Sequence, residues 1–205
     1  SEMCIRDRNN IKPAHSMNRF LFNSIFCFDL TTVLMVMGSP IMADQNDPRL
    51  DLLFKNLKAS VSFQKASSVE IQIWKIWMEH QNPRAQSSMF LGIEEMNNQQ
   101  LGKALGHFNQ LTEIEPEFAE GWNKRATVLY LMGRFKESEE DILRTLKLEP
   151  RHFGALSGQG LIRIALEDWS GAITVLEAGL RIHPHMLGVI RNLEYVRKKQ
   201  KESMT

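Results

Sequence analysis

The stretch Phe118–Pro150, FAEGWNKRATVLYLMGRFKESEEDILRTLKLEP, decides the fold. It spells two short helices and a tight turn, closed by a proline that ends the second helix and turns the chain onward. Pro116, Pro150 and Pro184 close three such units at a constant spacing of 34 residues. A period of that length built from paired helices is the signature of a helical solenoid.

The residues between the prolines repeat in type as well. With each proline as the thirty-second position, the units begin at Ala85, Ala119 and Phe153. The eighth position is small every time (Gly92, Ala126, Gly160), and so is the twentieth (Ala104, Ser138, Ala172). The twenty-fourth is large and apolar every time (Phe108, Ile142, Leu176). Close packing explains the pattern: two antiparallel helices approach only where a small residue leaves room, and a bulky neighbour fills the groove beside it.

Composition bounds the function classes. With 43% hydrophobic and 24% charged residues in 205, the chain has ordinary soluble composition, and its formal charge of +1 gives no global attraction to nucleic acid or anionic lipid. The two cysteines, Cys4 and Cys27, both precede the repeats, which excludes a disulfide framework or cysteine metal site there.

Working back toward the start, residues 1–16 have no apolar period and read as a non-native or upstream segment ahead of Met17. Residues 17–43 follow the order of a secretory signal peptide: Asn18-Arg19, an apolar run, Ser39-Pro40, then Ala43 as the cleavage position. Asp29 inside the run and Ile41 at the −3 position depart from that pattern, and an uncleaved membrane anchor is the alternative reading. Export to the periplasm is the expected destination. Without residues 1–43, which hold four basic and three acidic residues, 21 of each sign remain and the formal charge is zero.

Residues 44–84 have the helix-pair layout without the small-residue signature: Leu50, Leu53, Phe54 and Leu57, then Ile73, Trp74, Trp77 and Met78, ended by Asn82-Pro83. They read as a degenerate repeat capping the stack, with Trp74 and Trp77 expected to pack on the first full unit. The full units are residues 85–118, 119–152 and 153–186. In 187–205, Val189, Ile190, Leu193 and Val196 continue an apolar face begun by Met186, with Arg191, Arg197, Lys198, Lys199 and Lys201 largely opposite. That is an amphipathic helix capping the last repeat.

The units resemble the tetratricopeptide repeat. The middle one carries Trp122, Ala126, Leu129, Ser138, Ile142 and Pro150 at the motif's places. The first carries Leu91, Gly92, Ala104, Phe108 and Pro116, and the third Gly160, Ala172, Leu176 and Pro184. The resemblance implies an all-α, right-handed α-solenoid of helix-turn-helix repeats. It also implies a binding module whose first helices line a concave groove for a peptide or helix of another protein. On that analogy the groove would be lined by Gln86, Met89, Ile93, Met96, Glu120, Asn123, Thr127, Tyr130, Gly154, Ser157, Leu161 and Ile164. Repeats that grip the acidic C-terminus of heat-shock chaperones use lysine, asparagine and arginine at places occupied here by Met89, Ile93, Lys124, Gly154 and Gly158. Only Lys124 is basic, so that role is not expected.

No histidine falls in a metal-ligand spacing, and His183 and His185 read as turn residues around Pro184. There is no nucleophile elbow and no phosphate-binding glycine loop, and Glu139, Glu140 and Asp141 read as exposed carboxylates without a catalytic partner. The expectation is therefore no catalysis, no cofactor, no metal and no nucleic acid, with membrane contact only through the N-terminal segment. A structural subunit acting through its ends and convex face is the alternative to a groove-binding scaffold.

Overall fold

The computed structural model describes residues 44–204, so the expectations for residues 1–16 and 17–43 lie outside the described residues. Nine helices account for the described chain: α1 (Arg49–Lys58), α2 (Phe63–Met78), α3 (Pro83–Asn97), α4 (Leu101–Ile114), α5 (Ala119–Leu131), α6 (Phe135–Leu148), α7 (Phe153–Ala165), α8 (Trp169–Ile182) and α9 (Leu187–Ser203). Helices α3–α4, α5–α6 and α7–α8 form three antiparallel pairs stacked in chain order, an all-helical solenoid.

Each pair is held where a small residue meets a large one. A Cβ on Gly92 would come within 2.6 Å of the Phe108 ring, and one on Gly160 within 2.3 Å of Leu176. Ala126 packs with Ile142 in the core shared by the second and third pairs. Ser138, at the twentieth position of its unit, is buried and its hydroxyl donates to the Ala126 carbonyl at 2.7 Å. That bond satisfies a polar side chain that would otherwise destabilise the interface.

The turn within each pair repeats the period too. Gln99, Gly133 and Glu167 all adopt positive φ (60°, 74° and 57°) and lie 34 residues apart. At each, two backbone bonds close the first helix, as in Gln99 N–H to Met96 O (3.0 Å) and Gln100 N–H to Glu95 O (2.8 Å). This is a Schellman closure, which satisfies carbonyls that the helix end leaves open. Only one of the three positions holds the glycine that such a backbone favours.

At the C-terminal end, α9 buries Val189, Leu193 and Val196 against Ala172 and Leu176. Its basic residues face outward, where Arg197 pairs with Glu177 at 2.8 Å.

The N-terminal pair departs from expectation. Helices α1 and α2 share a core of Leu50, Leu57, Ala66 and Ile73, but this core continues into Phe153, with Ile182 and Met186 packed against it. Trp74 and Trp77 thus sit where the second repeat meets the third, not on the first. The reason is a more complementary seat: an open face at Gly154 beside two aromatic rings. Gln45 pins the chain at the junction of the first two repeats, donating to Glu117 O (2.6 Å) and accepting from Ala119 N–H (3.2 Å). Asn82 caps α3 through Arg84 N–H and also donates to Glu115 at 2.7 Å, which fixes where the hairpin joins the stack.

Candidate interaction groove and its hairpin

The first helices α3, α5 and α7 carry the residues expected in the groove, and their positions differ sharply. Asn123, Thr127, Tyr130, Gly154, Ser157, Gly158 and Leu161 converge between α5 and α7 on one cleft of about 180 Å3. Ala126 and Ile142 form part of its lining. The Tyr130 ring leans on Phe135 at 5.5 Å, which orients it along the cleft. Thr127 is exposed, and its hydroxyl donates to the Asn123 carbonyl at 2.9 Å.

The first repeat contributes nothing to this cleft. Met89 is only 1% exposed and belongs to the core with Ala104 and Phe108, with Ile93 and Met96 packed against it. Gln86 is exposed and accepts from His80 N–H at 2.8 Å. Ile164 packs into the core under α9. Helical position alone placed these side chains on the inner face, but their bulk and apolar character draw most of them inward.

Glu120 is also buried, at 1% exposure, and the His152 that it meets lies under the hairpin. The Trp77 ring stacks on His152 at 4.1 Å with 8° between planes, and the His152 Nε2 lies 2.8 Å from a Glu120 carboxylate oxygen. The tautomer follows from the partners: His152 Nδ1 accepts the Ala155 N–H that starts α7, so the proton sits on Nε2 and is donated to Glu120. Asn123 donates to the same carboxylate at 3.0 Å, and the Lys124 ammonium lies 3.1 Å from its other oxygen. Burial pushes this carboxyl's pKa up, but Lys124 and His152 together outweigh it and leave it below the ordinary glutamate value.

Around this centre the hairpin is fastened at several points. Trp74 meets the Phe153 ring edge-on at 5.4 Å and lies 5.4 Å from the Lys124 ammonium. Glu70 bonds His183 Nε2 at 3.1 Å, and that bond holds the Glu70 pKa down. His185 bonds the Ser60 carbonyl at 2.8 Å, and Arg151 pairs with Asp51 at 2.7 Å. The two histidines stay in the turn around Pro184, as read from sequence, and also fasten the hairpin. Nothing in the local pattern could have shown this, because each partner lies more than 110 residues away.

Asp141 corrects another reading. It is buried rather than exposed, and Arg125 grips it with two bonds of 2.7 and 2.6 Å while also reaching Thr112 at 3.0 Å. Burial raises the Asp141 pKa and the guanidinium offsets only part of that rise. Glu139 is likewise paired with Arg163. These are ion pairs between helices, with no nucleophile beside them. Among the described residues no cluster of histidine, cysteine, aspartate or glutamate could hold a metal ion, and no helix is long and apolar enough to cross a membrane.

No protein-family model matches the chain. A TPR repeat-containing protein of Rhizobium etli is 32% identical over 137 residues, spanning 63% of this chain and 67% of that one. The Sgt2 TPR domain of Aspergillus fumigatus superposes with a TM-score of 0.57 at 23% identity, covering 60% of this chain and 82% of that domain. The TPR2B domain of yeast Sti1, solved in complex with pHsp70, gives a TM-score of 0.54 at 17% identity, covering 57% of this chain and 98% of that one. The repeat period, the small-to-large packing and these likenesses lead to one conclusion: the chain belongs to the tetratricopeptide repeat family.

Proposed function

We propose that this protein is an interaction scaffold that receives an extended peptide or a helix of another protein in the cleft between α5 and α7. The carrying observation is that cleft, where Asn123, Thr127, Tyr130, Ser157 and Leu161 present a mixed polar and apolar lining on the inner face. A yeast domain of the same fold was solved with pHsp70, which supports peptide binding as the kind of work. The partner differs from an acidic chaperone tail. Met89, Ile93, Gly154 and Gly158 bring no charge, and the Lys124 ammonium is already paired with buried Glu120. Function in a bacterial envelope rests on the signal-like order of residues 17–43.

A crosslinked pull-down from separate envelope and cytosolic extracts tests this. Tyr130→Asp and Leu161→Asp are expected to abolish capture of an envelope protein while helix content stays at the wild-type level. Unchanged capture by both variants would remove the cleft from consideration, and cytosolic partners alone would remove the envelope. The assembly-subunit reading is favoured by one observation: Phe90 is 65% exposed, and neighbouring Leu91 lines an open cleft of about 580 Å3 on α3–α4. That reading predicts capture that survives the cleft variants and is lost on Phe90→Glu.

A further inference from the structure

The hairpin α1–α2 bypasses the repeat it precedes and docks where the second repeat meets the third, on a surface shaped to receive it. The α7 start leaves a hollow at Gly154, where a Cβ would stand 2.6 Å from the Trp74 ring. Phe153 and His152 form its walls, both fully buried, and the His152 ring is locked by Ala155 N–H on one side and Glu120 on the other. Into this seat α2 delivers Trp74 and Trp77, one helical turn apart, with Glu70 a turn earlier bonded to His183.

The fit of this occupant is incomplete. Trp77 Nε1 and His183 Nδ1 are buried with no hydrogen-bond partner. Buried polar atoms left unpaired weaken an association, so another helix could compete for the seat. Leu50, Leu57, Ala66 and Ile73 pack α1 on α2 within the core that continues into Phe153, and four residues, Glu79–Asn82, link the hairpin to α3. It therefore has the means to leave as a unit. Its outer side is uncovered, with Leu52 and Ile71 exposed.

We propose that the His152–Phe153–Gly154 seat is a binding site for an amphipathic helix bearing two tryptophans three residues apart and a carboxylate one turn before them. The chain's own α2 fills the seat in the closed state, and a partner helix of the same chemistry replaces it. The site meets the α5–α7 cleft at Gly154 but uses none of Thr127, Tyr130 and Leu161, so variants at those three residues test the cleft without touching the seat.

The test uses the full chain and a fluorescein-labelled peptide of residues 62–79. A closed competitor lowers apparent affinity by the fraction of molecules that are open. Trp77→Ala and Glu70→Lys, both confined to the hairpin, are expected to tighten peptide binding at least about tenfold over wild type. A peptide with both tryptophans replaced by alanine is expected to bind none of the three proteins. Amide exchange in the same samples should quicken across α2 and stay at the wild-type rate across α5–α8. Should Trp77→Ala expose α5–α8 as well, Glu70→Lys decides alone. Equal peptide affinity for wild type and an opened variant, or binding indifferent to the tryptophans, would overturn the proposal and leave the hairpin as fixed core.

Discussion

Two glycine-to-alanine substitutions in the first repeat should move stability in opposite directions. Within a helix, alanine is favoured over glycine by about 0.8–1 kcal/mol. Gly106 lies inside α4 with nothing within 4 Å of where a Cβ would sit, so Gly106→Ala should realise that gain. Gly92 lies inside α3, where a Cβ would stand 2.6 and 2.7 Å from two atoms of the Phe108 ring. Comfortable carbon contacts are about 3.5–4.0 Å, so the ring or the helix must shift by about 1 Å. Phe108 is fully buried and has nowhere to go. Overpacking of this kind costs about 1–3 kcal/mol, which exceeds the propensity gain and leaves Gly92→Ala destabilising by about 1 kcal/mol. The two variants should thus differ by about 2 kcal/mol. With a urea slope of about 2 kcal/mol/M, their unfolding midpoints would sit about 1 M apart, a separation that circular dichroism resolves. Equal stabilisation by both would refute the claim that a small residue facing a large one sets the spacing of α3 and α4.

Three further outcomes follow from the same geometry. Gln99→Gly and Glu167→Gly should each stabilise by about 0.5 kcal/mol, because left-handed backbone costs a side-chain-bearing residue about 1–2 kcal/mol and glycine returns part of that through the unfolded chain; thermal melts measure it. Arg125→Ala should destabilise by about 2–3 kcal/mol, below the full penalty for breaking a buried pair because Arg125 is 22% exposed, and Arg125→Ala with Asp141→Leu should recover part of it in denaturant titrations. Glu70 has a lowered folded pKa, so its contribution is complete above its ordinary value of 4.5 and is lost as pH falls through the folded value. The fluorescence of Trp74 and Trp77 should therefore report hairpin opening at acid pH, with the transition flattened in Glu70→Gln.

The repeat architecture was legible because it is written in local pattern. Gly92 against Phe108, Gly160 against Leu176 and Ala126 against Ile142 are pairings that spacing alone announces. The matching turns were only partly legible, since Gly133 carries the usual signal and Gln99 and Glu167 hide the same backbone behind ordinary side chains. The groove was read by helical position, which orders residues around an axis but does not see what lies over them. Met89 turned inward because its repeat needed a core residue there, and Glu120 is buried beside His152, a ring that Trp77 stacks on from far away in sequence. The tryptophans of α2 declared an apolar face without declaring its partner. Only Gly154 of the third repeat and the stacked His152 ring at the end of the second settle that choice.

Where the hairpin docks governs which part of the inner face a partner can reach, and crosslinking measures it most directly. Asp51 and Arg151 touch at 2.7 Å across the junction, on α1 and at the entrance to α7. In a chain with Cys4 and Cys27 changed to serine, Asp51→Cys and Arg151→Cys should form an intrachain crosslink in most molecules with a bismaleimide whose reach matches an arginine–aspartate pair. Failure to form it, or formation only between chains, would contradict a hairpin seated where the second and third repeats of its own chain meet.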